Sequence, residues 1–532
     1  MTDCSKQLQL GRPITNGGCL GTNEVRTRIA VLAMTLLICH VTAIAAPTPA
    51  EKLETWRAEV ARADATYRTK IAELRASAPQ DLPAEFLAIL DAQQKRPDAQ
   101  RQWLPKIPTR WPVMRQLTPD EAAWIEQARK QYREQAALYR QLATDGLALG
   151  QVEGTWRLLH QAVAADPEDA VARVALGYEL GELGWERAET IAKRKTGYVN
   201  HPTYGWLFSE QVPRYDSGMR WYRGNWMSAE QDAKLHVNIK NGWRVETEHF
   251  SVTTNHSLEQ GVKLARQLED LLEVWQRVFV AYYLTPDELR ARMTIAENLA
   301  KPLPPNASKT AERPKPKALP FNGKHFQVVL FVDQNDYNAA LKPAQPRIEM
   351  TLGIYFASTK TAYFFAGENQ DQGTLWHEAT HQLFQEMRVT SPEAGMRGGF
   401  WMLEAVACYM ETLEATELGW WLGGADKPRV LAARQRMLGD RFYVPLQDLT
   451  ARGVKEMQAD PDLPKIYSQS AGLWQFFMHG QNGALREPAI SFLPILYANR
   501  ATPVELSRTL DKPLGSIDSA YREYIQDLGP IK

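Results

Sequence analysis

The chain has 532 residues, more than one hydrophobic core organises, so about two to four domains are expected. Hydrophobic residues at 44% and charged residues at 23% fit an ordinary globular protein. Lys+Arg and Asp+Glu balance at 62 each, which removes any electrostatic reason to expect a nucleic acid or an anionic membrane surface as partner.

Arg26 and Arg28 precede an apolar run from Ile29 to Ala45 that ends in Ala43-Ile44-Ala45. Positive residues, an apolar stretch and small residues at its end predict an export signal over residues 1–45 and a periplasmic or extracellular mature chain. The alternative is an uncleaved membrane anchor, but Thr35, His40 and Thr42 interrupt a run already near the lower length limit for a span. No stable membrane insertion is expected after cleavage. Ile38 before Cys39 argues against a lipoprotein. Cys4, Cys19 and Cys39 lie in or before the signal, so the mature chain keeps only Cys408 and forms no internal disulfide.

Residues 46–182 read as helices. Thr118-Pro119-Asp120-Glu121 is a helix start, with Thr118 as N-cap and Glu121 three residues on. From Tyr139 to Leu180 the pattern predicts two short helices around Ala165-Asp166-Pro167-Glu168-Asp169, like one tetratricopeptide unit. Leu158, Leu159, Ala162 and Val163 would line one helix, and Ala172, Ala175, Leu176 and Gly177 the other. A helical packing domain is the preferred reading; a groove for a protein partner is the alternative. Residues 183–245 crowd aromatics among glycines and prolines, and Trp221-Tyr222-Arg223-Gly224-Asn225-Trp226 predicts a hairpin. These aromatics are expected to form the core of a small β segment rather than a sugar-stacking platform.

A mixed pattern follows over residues 246–398. Phe250 to Thr254 alternates like a strand, and Leu258 to Tyr283 has helical periodicity. Residues 300–322, rich in Pro, Lys and Ala, predict an exposed mobile loop. Strands are predicted at His325–Val332, Met350–Phe356 and Lys360–Gly367, followed at once by a helix. Residues 399–532 read as a helical C-terminal subdomain, giving an α+β chain.

The helix after the last strand carries His377-Glu378-Ala379-Thr380-His381. Positions four apart share a helix face, so both imidazoles reach one ion while Glu378 faces a metal-bound water. Leu375, Ala379 and Leu383 give the helix an apolar stripe, with Trp376, Thr380 and Phe384 beside it, and Asp371 is a fitting N-cap. Histidine is scarce, ten residues in all, which weakens coincidence as an explanation. A catalytic metal needs a third protein ligand and an open position. A histidine ten past His377 would fit one class of zinc protease, but Met387 stands there.

Further on lies Gly398-Gly399-Phe400-Trp401-Met402-Leu403-Glu404-Ala405-Val406-Ala407-Cys408-Tyr409-Met410-Glu411. Here the chain resembles the gluzincins, the superfamily of thermolysin and the large zinc aminopeptidases, whose third ligand is a glutamate in such a helix. Trp401, Glu404, Ala407, Tyr409 and Glu411 match; Met402-Leu403 and Ala405 depart from the pattern. Twenty-two residues separate His381 from Glu404, a wider gap than in the large aminopeptidases, which implies a longer loop around Val389 to Gly399. The stretch from His249 to about Phe477 resembles a peptidase-MA-like domain, and more narrowly a domain of unknown function in secreted bacterial proteins.

The resemblance implies Zn2+ held by His377, His381 and Glu404, with Glu378 as general base. It also implies that Tyr467, sixty-three residues past Glu404, donates a hydrogen bond to the reaction's oxyanion. Glu411 is either the carboxylate that accepts a histidine N–H or an exposed helix residue. Cys408 is read as a small buried hydrophobe rather than a ligand. The implied function is a secreted zinc peptidase acting on a peptide or protein substrate. The alternatives are a metal-binding but inactive scaffold and a zinc amidase acting on cell-wall material.

Overall fold

The computed structural model describes residues 47–95, 100–112, 117–301, 315–316, 319, 323–367 and 371–528. The expected export signal, its cleavage pattern and Cys4, Cys19 and Cys39 lie outside the described residues, as does most of the 300–322 loop. The described residues from Leu53 onward form one compact unit. The described chain is mixed α+β with several small sheets. Among the described residues, no helix is long and apolar enough to cross a membrane.

The N-terminal region is helical. Trp56, Val60, Ala63, Tyr67, Ile71 and Leu74 recur at helical spacing on Pro49–Ala76, and all are buried. The Trp56 indole donates to the Leu142 carbonyl at 2.8 Å, tying this helix to Pro119–Ala148. The latter starts as its sequence predicts: Thr118 and Glu121 cap each other's backbone N–H groups. Helices Val152–Ala165 and Ala170–Ala175 flank the Asp166–Asp169 turn. The second is far shorter than a tetratricopeptide helix. Gly177, at φ +90°, turns the chain into a strand, so Leu180 sits at 69% exposure in a hairpin and not on a helix.

A short strand, β1 (Arg101–Pro105), pairs with a distant partner given below. The aromatic segment is three hairpins and not one: β2–β3 (Tyr178–Gly181, Gly184–Arg187), β4–β5 (Tyr198–His201, Gly205–Phe208) and β6–β7 (Met219–Tyr222, Asn225–Ser228). Each is followed by helical turns, at Ala188–Lys195, Ser209–Asp216 and Ala229–Leu235. The unit repeats about every twenty residues. Gly177, Gly197 and Gly218 enter the hairpins at φ between +88° and +90°. Trp185, Trp206 and Trp226 recur at the starts of the return strands. Rings pack within a hairpin, as Tyr198 on Phe208, and from a helical turn onto the next hairpin, as Tyr215 on Trp226.

A five-stranded sheet follows: β8 (Trp243–Glu246), β9 (Phe250–Thr254), β10 (Phe326–Phe331), β11 (Ile354–Phe356) and β12 (Thr361–Phe365), in the order β11-β12-β10-β9-β8. The three central strands are parallel and the two edge strands antiparallel. The parallel pairs require crossovers. Helix Leu258–Val278 lies in one connection and Gln334–Leu341 in the other. β11 is shorter than the expected Met350–Phe356 strand, because Ile348–Met350 closes a tight turn, with the Thr351 N–H on the Ile348 carbonyl. A last small sheet, in the order β1-β14-β13, joins β1 to β14 (Gly419–Gly423) and β13 (Glu414–Ala415).

His249, just before β9, donates to Glu269 on helix Leu258–Val278 at 2.7 Å. Burial lowers the His249 pKa, but the hydrogen bond and charge of Glu269 outweigh it and leave it raised. Burial raises the Glu269 pKa, and His249 outweighs that in turn, leaving it lowered. The pair therefore stabilises fully between the ordinary values of 4.5 and 6.5. Its contribution is lost as pH rises through the raised His249 pKa or falls through the lowered Glu269 pKa. Glu269→Gln should cost more stability in urea at about pH 6 than at about pH 9; equal losses at both would contradict this coupling.

Candidate metal centre

Four helices build the site. The motif helix, Gln372–Glu386, starts where Asp371 accepts the Thr374 N–H at 2.6 Å. Its apolar stripe is buried: Leu375, Trp376, Ala379, Thr380, Leu383 and Phe384. The Phe384 ring packs edge-on against Trp275 and Phe279, and its carbonyl accepts from Tyr282. The helix is thus clamped along its length, with His377 and His381 on the face left over.

Helix Phe400–Met410 is buried at every position. Its N-cap, Gly399, has φ +72°, and a Cβ there would stand 2.9 Å from Ala501 Cβ and Leu496 Cδ1. Both the left-handed backbone and the space require glycine. Gly399→Ala should therefore cost about 1–2 kcal/mol or more in chemical unfolding; an unchanged midpoint would refute this account of the helix start.

The buried Glu404 carboxylate faces both imidazoles. Its Oε2 lies 3.3 Å from His377 Nε2 and 3.8 Å from His381 Nε2, and the two Nε2 atoms are 3.2 Å apart. A tetrahedral ion with bonds of about 2.0–2.1 Å sets its ligand atoms about 3.3–3.4 Å apart. The three donors therefore stand at nearly the separations a single small cation imposes. Two imidazoles and a carboxylate are also the donor set of catalytic zinc.

Burial lowers the His377 pKa, but its hydrogen bonds to Cys408, Glu404 and Glu411 together outweigh this and raise it well above the usual value. Burial raises Glu404, and the two histidines more than reverse it, holding the carboxylate well below its usual range. The cluster thus holds a negative charge between two imidazoles.

Glu378 sits beside this cluster. Its Oε2 accepts the backbone N–H of Tyr355 in β11 at 3.0 Å. Burial, helped by the nearby Glu404 charge, raises its pKa despite the opposing histidines. A raised carboxylate pKa suits a proton acceptor near neutrality.

Tyr467 lies on helix Leu463–His479, close enough to the Glu404 carboxylate for that charge to act on its phenol. Burial first, then the Glu404 charge, push its pKa far up, so the phenol stays a donor. Of the two readings of Glu411, the geometry gives the acceptor of a histidine N–H: it accepts from His377 Nδ1 at 2.7 Å. Cys408 is 2% exposed and forms a second close group with His377 and Glu411. Glu393 is exposed, bonded to Asn499, and takes no part.

Two partners escaped the sequence reading. The Tyr355 N–H is backbone, and nothing in its residue type marks it. Arg429, on helix Pro428–Leu438, grips Glu411 with Nε at 2.6 Å and Nη2 at 2.9 Å. No protein-family model, no curated protein and no solved structure matches the chain.

Proposed function

We propose that the chain is a zinc-dependent hydrolase that cleaves peptide bonds, with a peptidase-MA-like arrangement of sheet, motif helix and third-ligand helix. The observation that carries this reading is the convergence of His377 Nε2, His381 Nε2 and Glu404 Oε2 within 3.8 Å, with Glu378 beside them. His377, His381 and Glu404 hold the metal. Bound zinc supplies Lewis acidity, lowering the pKa of water toward about 7 and polarising a carbonyl.

The protein's own groups do the rest. Glu378, oriented by the Tyr355 N–H, accepts the proton of the attacking water and returns it to the leaving amine. The Tyr467 phenol donates to the developing oxyanion, a donor worth about 3 kcal/mol in a transition state. β11 is an edge strand, and an extended peptide can lie along such an edge by main-chain hydrogen bonds. These features favour an active enzyme over a metal-binding scaffold: Glu378 and Tyr467 both lie within the electrostatic reach of the Glu404 carboxylate that faces the histidines. Export rests on the N-terminal sequence alone.

Incubating the mature chain with a diverse peptide library, with and without a zinc chelator, tests the reading. Chelator-sensitive cleavage at internal or terminal amides is expected. A zinc-loaded chain that cleaves no peptide but releases fragments from purified peptidoglycan would replace the peptidase by an amidase.

A further inference from the structure

His377 has two ring edges, and each faces possible ligands. Nε2 faces His381 and Glu404, and Nδ1 faces Glu411, with Cys408 in the same close group as His377 and Glu411. Either set has three donors close enough together to hold a cation. What separates them is Arg429. Its Nε and Nη2 occupy both oxygens of Glu411, at 2.6 Å and 2.9 Å, and Glu411 Oε1 also accepts from His377 Nδ1.

We propose that Arg429 is a positioning residue: it holds the Glu411 carboxylate on His377 Nδ1 and so directs the cation to the Nε2 edge. The inference rests on the metal-binding reading above. A proton held on Nδ1 by Glu411 leaves the Nε2 lone pair free for the metal. A guanidinium across both carboxylate oxygens fixes the rotamer of Glu411, which one point charge does not. It also neutralises Glu411 and occupies its oxygens, so the Cys408 side is a poor competitor for a cation. Arg429 is 41% exposed on its side chain, and exposed ion pairs contribute little to stability. Its contribution lies in orientation.

The test is the rate at which zinc leaves the full mature chain into excess chelator, measured for wild type, Arg429→Ala, Arg429→Lys and Lys427→Ala. Lys427 pairs with Glu414 two residues before Arg429 and does not reach the site. Arg429→Ala should release zinc about tenfold to a hundredfold faster, the range for losing a residue that supports a ligand. Arg429→Lys should recover part of that loss, and Lys427→Ala should match wild type. The thermal midpoints of the metal-free forms should agree, which separates orientation from unfolding. Release at the wild-type rate in both Arg429 variants overturns the proposal, as does equal acceleration by Lys427→Ala. Should Arg429→Ala fail to fold, Arg429→Lys against wild type decides alone. A wild-type chain that holds no zinc would instead overturn the metal reading itself.

Discussion

Glu378→Gln is expected to keep the metal and lose hydrolysis, by about a hundredfold to ten-thousandfold, the range that general acid–base catalysis supplies. The amide matches the carboxylate in shape, and its oxygen still accepts the Tyr355 N–H that holds Oε2. What it cannot do is take a proton. Glu378 is not among the three donors that converge, so zinc content should stay at the wild-type value. Burial and the neighbouring Glu404 raise the Glu378 pKa, which makes the residue a better proton acceptor than an ordinary glutamate. Turnover of a library-derived peptide by Glu378→Gln at the wild-type rate would remove Glu378 from the mechanism.

Glu404→Ala should strip the metal. Two imidazoles 3.2 Å apart remain, without the anion that balances a divalent cation between them. The loss in affinity should exceed the tenfold to hundredfold that typically follows removal of a group supporting a ligand. Glu404 is one of the few buried carboxylates of its helix region, and the helix that carries it is packed on all sides, so it is aimed without freedom. Glu393→Ala is the matched control: an exposed carboxylate in the intervening loop, tied only to Asn499. Metal analysis after dialysis should find Glu393→Ala full and Glu404→Ala empty. The reverse pattern would refute both the third ligand and the gluzincin likeness.

The centre of the site was more legible than its surroundings, for a physical reason. His377, Glu378 and His381 are local: one helix sets their spacing, and a cap and an apolar stripe mark that helix in the sequence. Glu404 lies on a separate helix, yet Gly398-Gly399 and the following apolar residues delimit it. Arg429 meets Glu411 only because the chain reverses through β13 and β14 before the Arg429 helix begins, and no periodicity records that return. The Arg223-Gly224 turn marks the third hairpin in the sequence; the first two are hidden because their turns, Glu182-Leu183 and Pro202-Thr203-Tyr204, carry no glycine and differ in length. The glycines at 177, 197 and 218, the tryptophans at 185, 206 and 226 and the glutamates at 189, 210 and 230 keep the period. The apolar pattern extends β11 beyond its true start because Met350 and Leu352 are apolar but sit in or beside a turn, at 76% and 38% exposure.

Zinc-edge anomalous scattering from crystals of the zinc-loaded mature chain tests the central claim most directly. The account predicts one strong peak, about 2.0–2.2 Å from His377 Nε2, His381 Nε2 and a Glu404 carboxylate oxygen. No peak there, or a peak bonded instead to His377 Nδ1, Cys408 and Glu411, would contradict it.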